Sequence, residues 1–218
     1  DASPGLAFSG LSLSKARVSM SGSAFFVKGG ASSLRLLHLD AAVLTADTLF
    51  GDIVWLGDVE LFRLGSSSTL RLAHATILAK AKRLGVVESR GSVWNIFNSI
   101  FNIDSPASVF AISDNLPPPG SISANCLWGF ASFLSGTGKT GSLAELNRFA
   151  SLGHPNFIEA PSRTFSSVNK GLPLLSTSSA CIGSAAPLPW TLPADLKMNL
   201  RPLPSRDIGV EGLREGRL

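Results

Sequence analysis

At 218 residues the chain is long enough to bury a sizeable core, and its length suits one domain or one domain with an appendage. Its net charge of +4 comes from basic residues spread along the sequence, so no specific signal for nucleic-acid binding is present. No apolar run reaches the roughly 18 residues that a transmembrane helix needs, which excludes a transmembrane segment. Cys126 and Cys181 show neither a disulfide framework nor a metal-binding spacing, so we expect two small buried residues.

The first half of the chain predicts strands that alternate with helices. Short apolar runs at residues 24–27 and 53–56 predict buried strands. Residues 34–50 and 69–84 are rich in Leu and Ala, which favour helices. Along the second of these segments, apolar residues recur on one helical face: Leu70, Ala73, Ile77, Ala81 and Leu84.

Two short segments of these predicted helices resemble each other. Residues 33–38 read SLRLLH and residues 69–74 read TLRLAH, an offset of 36 residues. A repeat of that length is typical of a solenoid unit. Because the similarity fades outside these segments, we favour two successive strand–helix units of ordinary size.

A long section of the chain carries almost no charge. Between residues 91 and 138 the only charged side chains are Asp104 and Asp114. Charged side chains normally keep a surface solvated, so this section is expected in the interior or against another subunit. Six rings in it are therefore predicted to be mostly buried: Trp94, Phe97, Phe101, Phe110, Trp128 and Phe130.

The clearest chemical signal lies between residues 127 and 159. An apolar run at 127–134 predicts a strand, and the Gly-rich turn Gly136-Thr137-Gly138-Lys139-Thr140-Gly141 follows it. Ser142 and Glu145 match the capping box of a helix that we expect to end at Gly153. The short run 157–158 predicts a second strand, which ends in Glu159.

This turn fits the pattern G-x-G-x-x-G. In that pattern the first Gly permits a tight turn, the second lets a pyrophosphate approach the backbone, and the third lets the helix pack on the strand. An acid about 20 residues later binds a ribose hydroxyl, and Glu159 stands 23 residues after Gly136. The pattern therefore indicates a dinucleotide held by its pyrophosphate.

Residues 127–159 thus resemble the NAD(P)-binding Rossmann fingerprint, and GTGKTG is similar to the turn of short-chain dehydrogenases and reductases. Residues 79–86 also resemble a helix-to-strand passage of that family. The resemblance implies an NAD or NADP site at Gly136, Thr137, Gly138, Lys139, Thr140, Gly141 and Glu159. It implies binding without the family's chemistry, because a chain with no Tyr lacks the catalytic Tyr-x-x-x-Lys.

The same turn allows a second nucleotide hypothesis. Residues 136–140 resemble the end of a P-loop, in which Lys139 would reach the phosphates and Thr140 would hold magnesium. A P-loop requires Gly where Phe133 stands, so this would be a degenerate P-loop for a nucleoside triphosphate.

The fold predicted from these elements is α/β, with a mostly parallel sheet and helices on its faces. Residues 1–160 are assigned to this domain. Residues 161–218 contain many prolines and are predicted as an irregular segment with an extended C-terminal tail. A mainly β chain is the alternative.

Two functional hypotheses follow. The first is a nucleotide-binding α/β protein with no identifiable catalytic chemistry. The second is a non-enzymatic structural or assembly subunit, which binds a protein partner or forms a homo-oligomer through its low-charge surface and C-terminal tail. No acid–base constellation and no metal ligands can be assigned from the sequence.

Overall fold

The computed structural model describes residues 8–30, 32–113, 117, 119–136, 141–167, 174–182, 184–188 and 208. Strands dominate these residues. The first nine are β1 Phe8–Ser14, β2 Arg17–Gly29, β3 Leu34–Asp40, β4 Val43–Trp55, β5 Asp58–Leu64, β6 Thr69–Ala73, β7 Thr76–Lys80, β8 Arg83–Ser89 and β9 Val93–Phe97. The others are β10 Ile100–Asp104, β11 Ala107–Ser113, β12 Ile122–Ser123, β13 Cys126–Trp128, β14 Ser132–Ser135, β15 Phe157–Ile158, β16 Phe165–Ser167 and β17 Leu174–Leu175. Two four-residue helices are described, α1 Leu143–Leu146 and α2 Pro161–Thr164, with a 3-10 turn at Asn147–Phe149 after α1.

The chain winds as a parallel β-solenoid. Leu34 of β3 lies opposite Val59 of β5, and Val59 lies opposite Leu84 of β8, each pair in parallel register. The chain therefore returns to the same side after 25 residues at these positions. We call each such turn of the chain a coil.

Each coil has three sides. The first side is the sheet β1-β3-β5-β8-β11-β14. Strand β4 covers the other two sides by itself, because its residues 43–47 pair with β6 and its residues 50–54 pair with β7. The second side continues from β6 to β9 and β12, and the third side from β7 to β10, β13 and β15.

Stacked left-handed residues form the corner between the second and third sides. Their φ angles are all positive, at equivalent positions of successive coils: Gly22, Thr48, His74, Asn98 and Ala124. A left-handed conformation costs a residue other than Gly roughly 1–2 kcal/mol. Four of these five residues are not Gly, so most coils incur this cost, because the corner must turn sharply while the strands on both sides stay in register.

The interior is filled from all three sides. Leu39 on the first side, Leu44 on the second and Ile53 on the third are each 0% exposed. Deeper along the axis, the Phe110 ring meets Phe101 edge to face at 5.6 Å and Trp94 at 6.5 Å. The predicted burial of Trp94, Phe101 and Phe110 is confirmed, whereas Trp128 is 40% exposed; Phe97 and Phe130 are half-buried.

Buried amides satisfy the backbone next to the same corner. The Asn125 Nδ2 group donates to the Ile96 carbonyl at 2.9 Å and to Asn156 Oδ1 at 2.8 Å, and its Oδ1 accepts from the Ser99 N–H at 3.0 Å. The Asn156 Nδ2 group in turn donates to the Ile122 carbonyl at 3.0 Å. This ladder links the last coils, since a buried backbone group without a partner is costly.

The predicted α/β fold is wrong. Residues 34–50 and 69–84 form strands β3, part of β4, β6, β7 and the start of β8 instead of helices. Helix preference is worth at most tenths of a kcal/mol per residue, so tertiary strand pairing overrides it. The 36-residue similarity compares β3 on the first side with β6 on the second, so it is not the structural repeat.

The described residues after 160 pack on the outside of the third side. Strands β16 and β17 pair in antiparallel fashion. A second apolar cluster joins this segment to the solenoid: Ile100, Ala124, Cys126, Phe165, Leu175, Cys181, Ala185, Ala186 and Ile208. The predicted tail lies mostly outside the described residues, and the predicted boundary at residue 160 stays a prediction. In the described part of the chain, no helix has the length and apolar character to cross a membrane.

Candidate functional sites

The ends of the Gly-rich turn make contacts within the chain. The Phe133 N–H donates to the Gly141 carbonyl at 3.0 Å, and the Gly141 N–H donates to the Leu134 carbonyl at 2.8 Å, so the chain folds back on β14. A Cβ atom at Gly136 would lie 2.3 Å from the Ser113 carbonyl oxygen, and one at Gly141 would lie 2.7 Å from Leu134 Cβ. Chain packing alone therefore requires both glycines. The predicted site residues Thr137, Gly138, Lys139 and Thr140 lie outside the described residues.

The capping box after the turn is confirmed, but the helix is short. Glu145 Oε2 accepts from the Ser142 N–H at 2.8 Å, and Ser142 Oγ accepts from the Glu145 N–H at 3.3 Å. The α-helix ends at Leu146 after one turn, so the predicted end at Gly153 is wrong. One turn aligns too few peptide dipoles to make a phosphate site of the Rossmann kind.

The predicted nucleotide-binding function is therefore wrong, for both the Rossmann and the P-loop hypotheses. Each hypothesis requires a strand of a helix-flanked sheet to lead into a substantial helix, whereas β13, β14 and β15 are strands of a parallel β-solenoid. NAD or NADP binding was expected only through that fold and stays an untested prediction.

Glu159 is buried, 9% exposed, and its carboxylate is held by donors from two later segments. Its Oε2 atom accepts from the Ser179 hydroxyl at 2.6 Å and from the Thr164 hydroxyl at 3.0 Å. Its Oε1 atom accepts from the Ala180 N–H at 2.8 Å. None of these partners belongs to the Gly-rich turn, and the predicted role of Glu159 at a ribose stays a prediction.

Two thiols complete this buried cluster. The sulfur atoms of Cys126 and Cys181 and a carboxylate oxygen of Glu159 all lie within 4.8 Å of one another. The Cys181 thiol donates to Glu159 Oε2 at 3.6 Å. Cys126 belongs to β13, Glu159 follows β15, and Cys181 lies in the segment packed outside the third side, so three distant parts of the chain meet here. The prediction that both cysteines are buried is confirmed.

The surroundings of Cys181 disfavour its thiolate. The neighbouring Cys126 thiol and burial both raise the pKa of Cys181 well above its ordinary value. In the unfolded chain the thiol ionises near pH 9.0, while in the folded chain it keeps its proton. The stabilisation from this group is thus complete below about pH 9 and is lost progressively as the pH rises above it.

We expect the free energy of unfolding to fall by up to about 1.4 kcal/mol per pH unit above about pH 9 through Cys181. In Cys181→Ser the hydroxyl does not titrate, so the decline should be shallower. Urea denaturation of both proteins, reduced and freed of metal with a chelator, at several alkaline pH values measures the difference. Equal slopes for the two proteins would show that Cys181 does not contribute.

A second buried polar cluster surrounds His74 at the corner of the third side. His74 Nδ1 lies 2.9 Å from Asp47 Oδ1, and Asn98 Nδ2 lies 3.3 Å from His74 Nε2. The Asn98 side chain also exchanges two hydrogen bonds with the backbone of Ala186. Because His74 is 0% exposed, this cluster is closed to a substrate. The bonds between Asn98 and Ala186 tie the C-terminal segment to the corner.

The first coil, β1 and β2, differs from the coils that follow. Its inward-facing side chains Leu13, Val18 and Val27 are only partly buried, although they pack on the core. Their register partners in the next coil are fully buried: Leu39, Leu44 and Ile53. Among the described residues, no strand pairs with the outer edges of β1 and β2.

Charge also distinguishes this coil. Residues 8–30 contain Lys15, Arg17 and Lys28, all exposed, and no acidic residue. The opposite end of the solenoid is covered near α1, where Leu146 is 0% exposed and belongs to the main core. The described solenoid therefore has one covered end and one apolar end with a basic rim.

No protein-family model, no curated protein and no solved structure matches the chain. The comparisons therefore neither support nor refute the resemblance of residues 127–159 to a dinucleotide fingerprint. The sequence could not reveal the thiol–carboxylate cluster, because its members are brought together by coil stacking and not by local spacing. The first coil offered one signal: an apolar alternation flanked by basic residues only.

Proposed function

We propose that this chain is a β-solenoid assembly module, whose first coil accepts a parallel β-coil from another polypeptide. The observation that carries this proposal is the partial exposure of inward-facing Leu13, Val18 and Val27, where the next coil buries the equivalent residues. A further coil would cover these side chains and pair the outer edges of β1 and β2. Open edges of this kind are the usual sites of strand addition.

The charge of the first coil defines the partner. Lys15, Arg17 and Lys28 give this end a positive rim without an acidic residue. A second copy joined edge to edge would oppose two such rims, and like charges face to face are unfavourable. The expected partner is therefore a β-coil with apolar inward residues and an acidic rim.

A synthetic peptide serves as the probe for this partner. It copies residues 34–55, which stack on the first coil from the other side, with Arg35 and His38 replaced by Glu. We expect saturable one-to-one binding, measured by fluorescence anisotropy of the labelled peptide, that weakens as salt is added. Val27→Glu should weaken binding by at least about tenfold, because a carboxylate would enter the apolar contact.

Leu56→Glu is the matched control, since it introduces the same charge at a side chain that is 74% exposed and should leave peptide binding unchanged. Circular dichroism checks that both variants fold. Absence of peptide binding would contradict the proposal, as would equal losses in the two variants. Dimerisation of the protein through this coil, seen by light scattering, would contradict the charge argument.

A further inference from the structure

The cluster of Cys126, Glu159 and Cys181 has the composition of a metal site. Two sulfur donors and one carboxylate oxygen, all in buried residues, lie within 4.8 Å of one another. Zinc binds such donors at about 2.3 Å for sulfur and 2.0–2.2 Å for oxygen, so two donors on a tetrahedral ion are about 3.5–3.8 Å apart. The observed separation between Cys181 Sγ and Glu159 Oε2 is 3.6 Å.

The groups around the carboxylate match those that orient metal ligands. The Ser179 hydroxyl and the Ala180 N–H donate to Glu159 and fix its orientation. Ligating carboxylates are commonly held by such hydrogen bonds. The Thr164 hydroxyl lies 3.0 Å from Glu159 Oε2 and 4.0 Å from Cys126 Sγ, which makes it the candidate for a fourth donor.

We propose that Cys126, Glu159 and Cys181 bind one zinc-class divalent ion. Binding releases the two thiol protons to solvent, and the ion then neutralises most of the charge of two thiolates and one carboxylate. The remaining negative charge is shared with the hydroxyl and N–H donors to Glu159. Sulfur ligands select this class of ion over magnesium and calcium.

The ion would join the C-terminal segment to the solenoid. Cys126 lies on the third side, whereas Cys181 belongs to the segment packed outside it, in an apolar cluster much smaller than the main core. A metal bound between them makes docking of this segment dependent on the ion. This role is independent of the first coil, so the two proposals can fail separately.

The reduced protein, freed of metal with a chelator, is titrated with Zn²⁺ in competition with a chromophoric chelator. We expect one ion per chain. Cd²⁺ should add the ultraviolet absorption of two metal–thiolate bonds. Cys181→Ser, a near-isosteric change that should fold, is expected to lower Zn²⁺ affinity by at least about 100-fold and to remove about half of the Cd²⁺ absorption.

Cys126→Ser and Glu159→Gln should also lose Zn²⁺ affinity. Glu145→Gln, at the exposed carboxylate of the capping box, should bind Zn²⁺ as the unchanged protein does. The proposal is overturned if the folded, reduced protein binds no stoichiometric Zn²⁺, or if Cys181→Ser binds it equally well. Isolation of the two cysteines as a disulfide, with no Zn²⁺ binding after reduction, would overturn it as well.

Discussion

Gly129→Ala is expected to destabilise the protein by about 4 kcal/mol, at the upper end of single substitutions. Gly129 has φ +79, and a Cβ atom there would lie 1.7 Å from the Ile103 carbonyl oxygen. Gly129 lies in the corner between β13 on the third side and β14 on the first. The Ser108 hydroxyl donates to the Gly129 carbonyl at 2.5 Å and accepts from the Ala131 N–H at 3.0 Å, so this corner is anchored and cannot move aside easily. Urea denaturation followed by Trp fluorescence measures the loss.

Gly91→Ala is the matched control. Gly91 has a similar backbone conformation, φ +64, but a Cβ atom there would meet nothing within 4 Å. Only the backbone strain remains, roughly 1–2 kcal/mol. Equal losses at the two glycines would show that the coils do not approach as closely at Gly129 as the structure indicates.

Phe110→Ala is expected to cost about 3–5 kcal/mol, the range for a large ring removed from a closed core. Phe110 is 0% exposed and contacts the rings of Trp94, Phe101 and Phe130. Residues from more than one side of the solenoid meet in this cluster, so the cavity cannot close by a local shift. Chemical denaturation gives the value.

Phe26→Ala tests whether the loss at Phe110 comes from burial. Phe26 is 68% exposed and contacts Phe50 on the outside of the third side, so its removal should cost less than about 1 kcal/mol. A comparable loss at both positions would contradict the assignment of inward and outward residues.

The sequence pattern predicted which residues are buried better than it predicted the secondary structure in which they lie. Leu70, Ile77 and Leu84, assigned to one helical face, are all 0–2% exposed. They lie on three different sides, in β6, β7 and β8. The corner at His74 switches the inward-facing positions from 70 and 72 to 75 and 77, so strand spacing is interrupted and imitates a helical period.

The number of residues per coil could not be read from the sequence for a related reason. Phe8 pairs with Leu34, an offset of 26, whereas Val109 pairs with Ser132, an offset of 23. Because the corners differ in length, no fixed period connects equivalent residues. The inward positions also need only be apolar and of suitable volume, so they leave no repeated motif.

The candidate sites were predictable only in part. The capping box of Ser142 and Glu145 and the strand Phe157–Ile158 depend on neighbouring residues, and the structure confirms both. Glu159 was selected as the acid after that strand, but its neighbours Cys126 and Cys181 come from residues 33 before and 22 after it. Only coil stacking and docking of the C-terminal segment bring them together.

The parallel solenoid itself is tested most directly by distances between spin labels on the first side. Asp58 and Arg83 are register partners on neighbouring coils, and Ala107 is the next partner of Arg83. Both native thiols are buried, so the protein without introduced cysteines should take up little spin label in the time that labels the introduced cysteines.

Labels at 58 and 83 should show strong spin–spin broadening, because neighbouring strands lie about 4.8 Å apart, and labels at 58 and 107 should report about twice that backbone separation. A helix ending near residue 84 would place Arg83 away from Asp58, and the spin–spin broadening would then not decrease from the pair 58 and 83 to the pair 58 and 107. Broadening that is strong for 58 and 83 and weaker for 58 and 107 is the result that the solenoid predicts. Weak broadening for both label pairs, or stronger broadening for 58 and 107 than for 58 and 83, would contradict it.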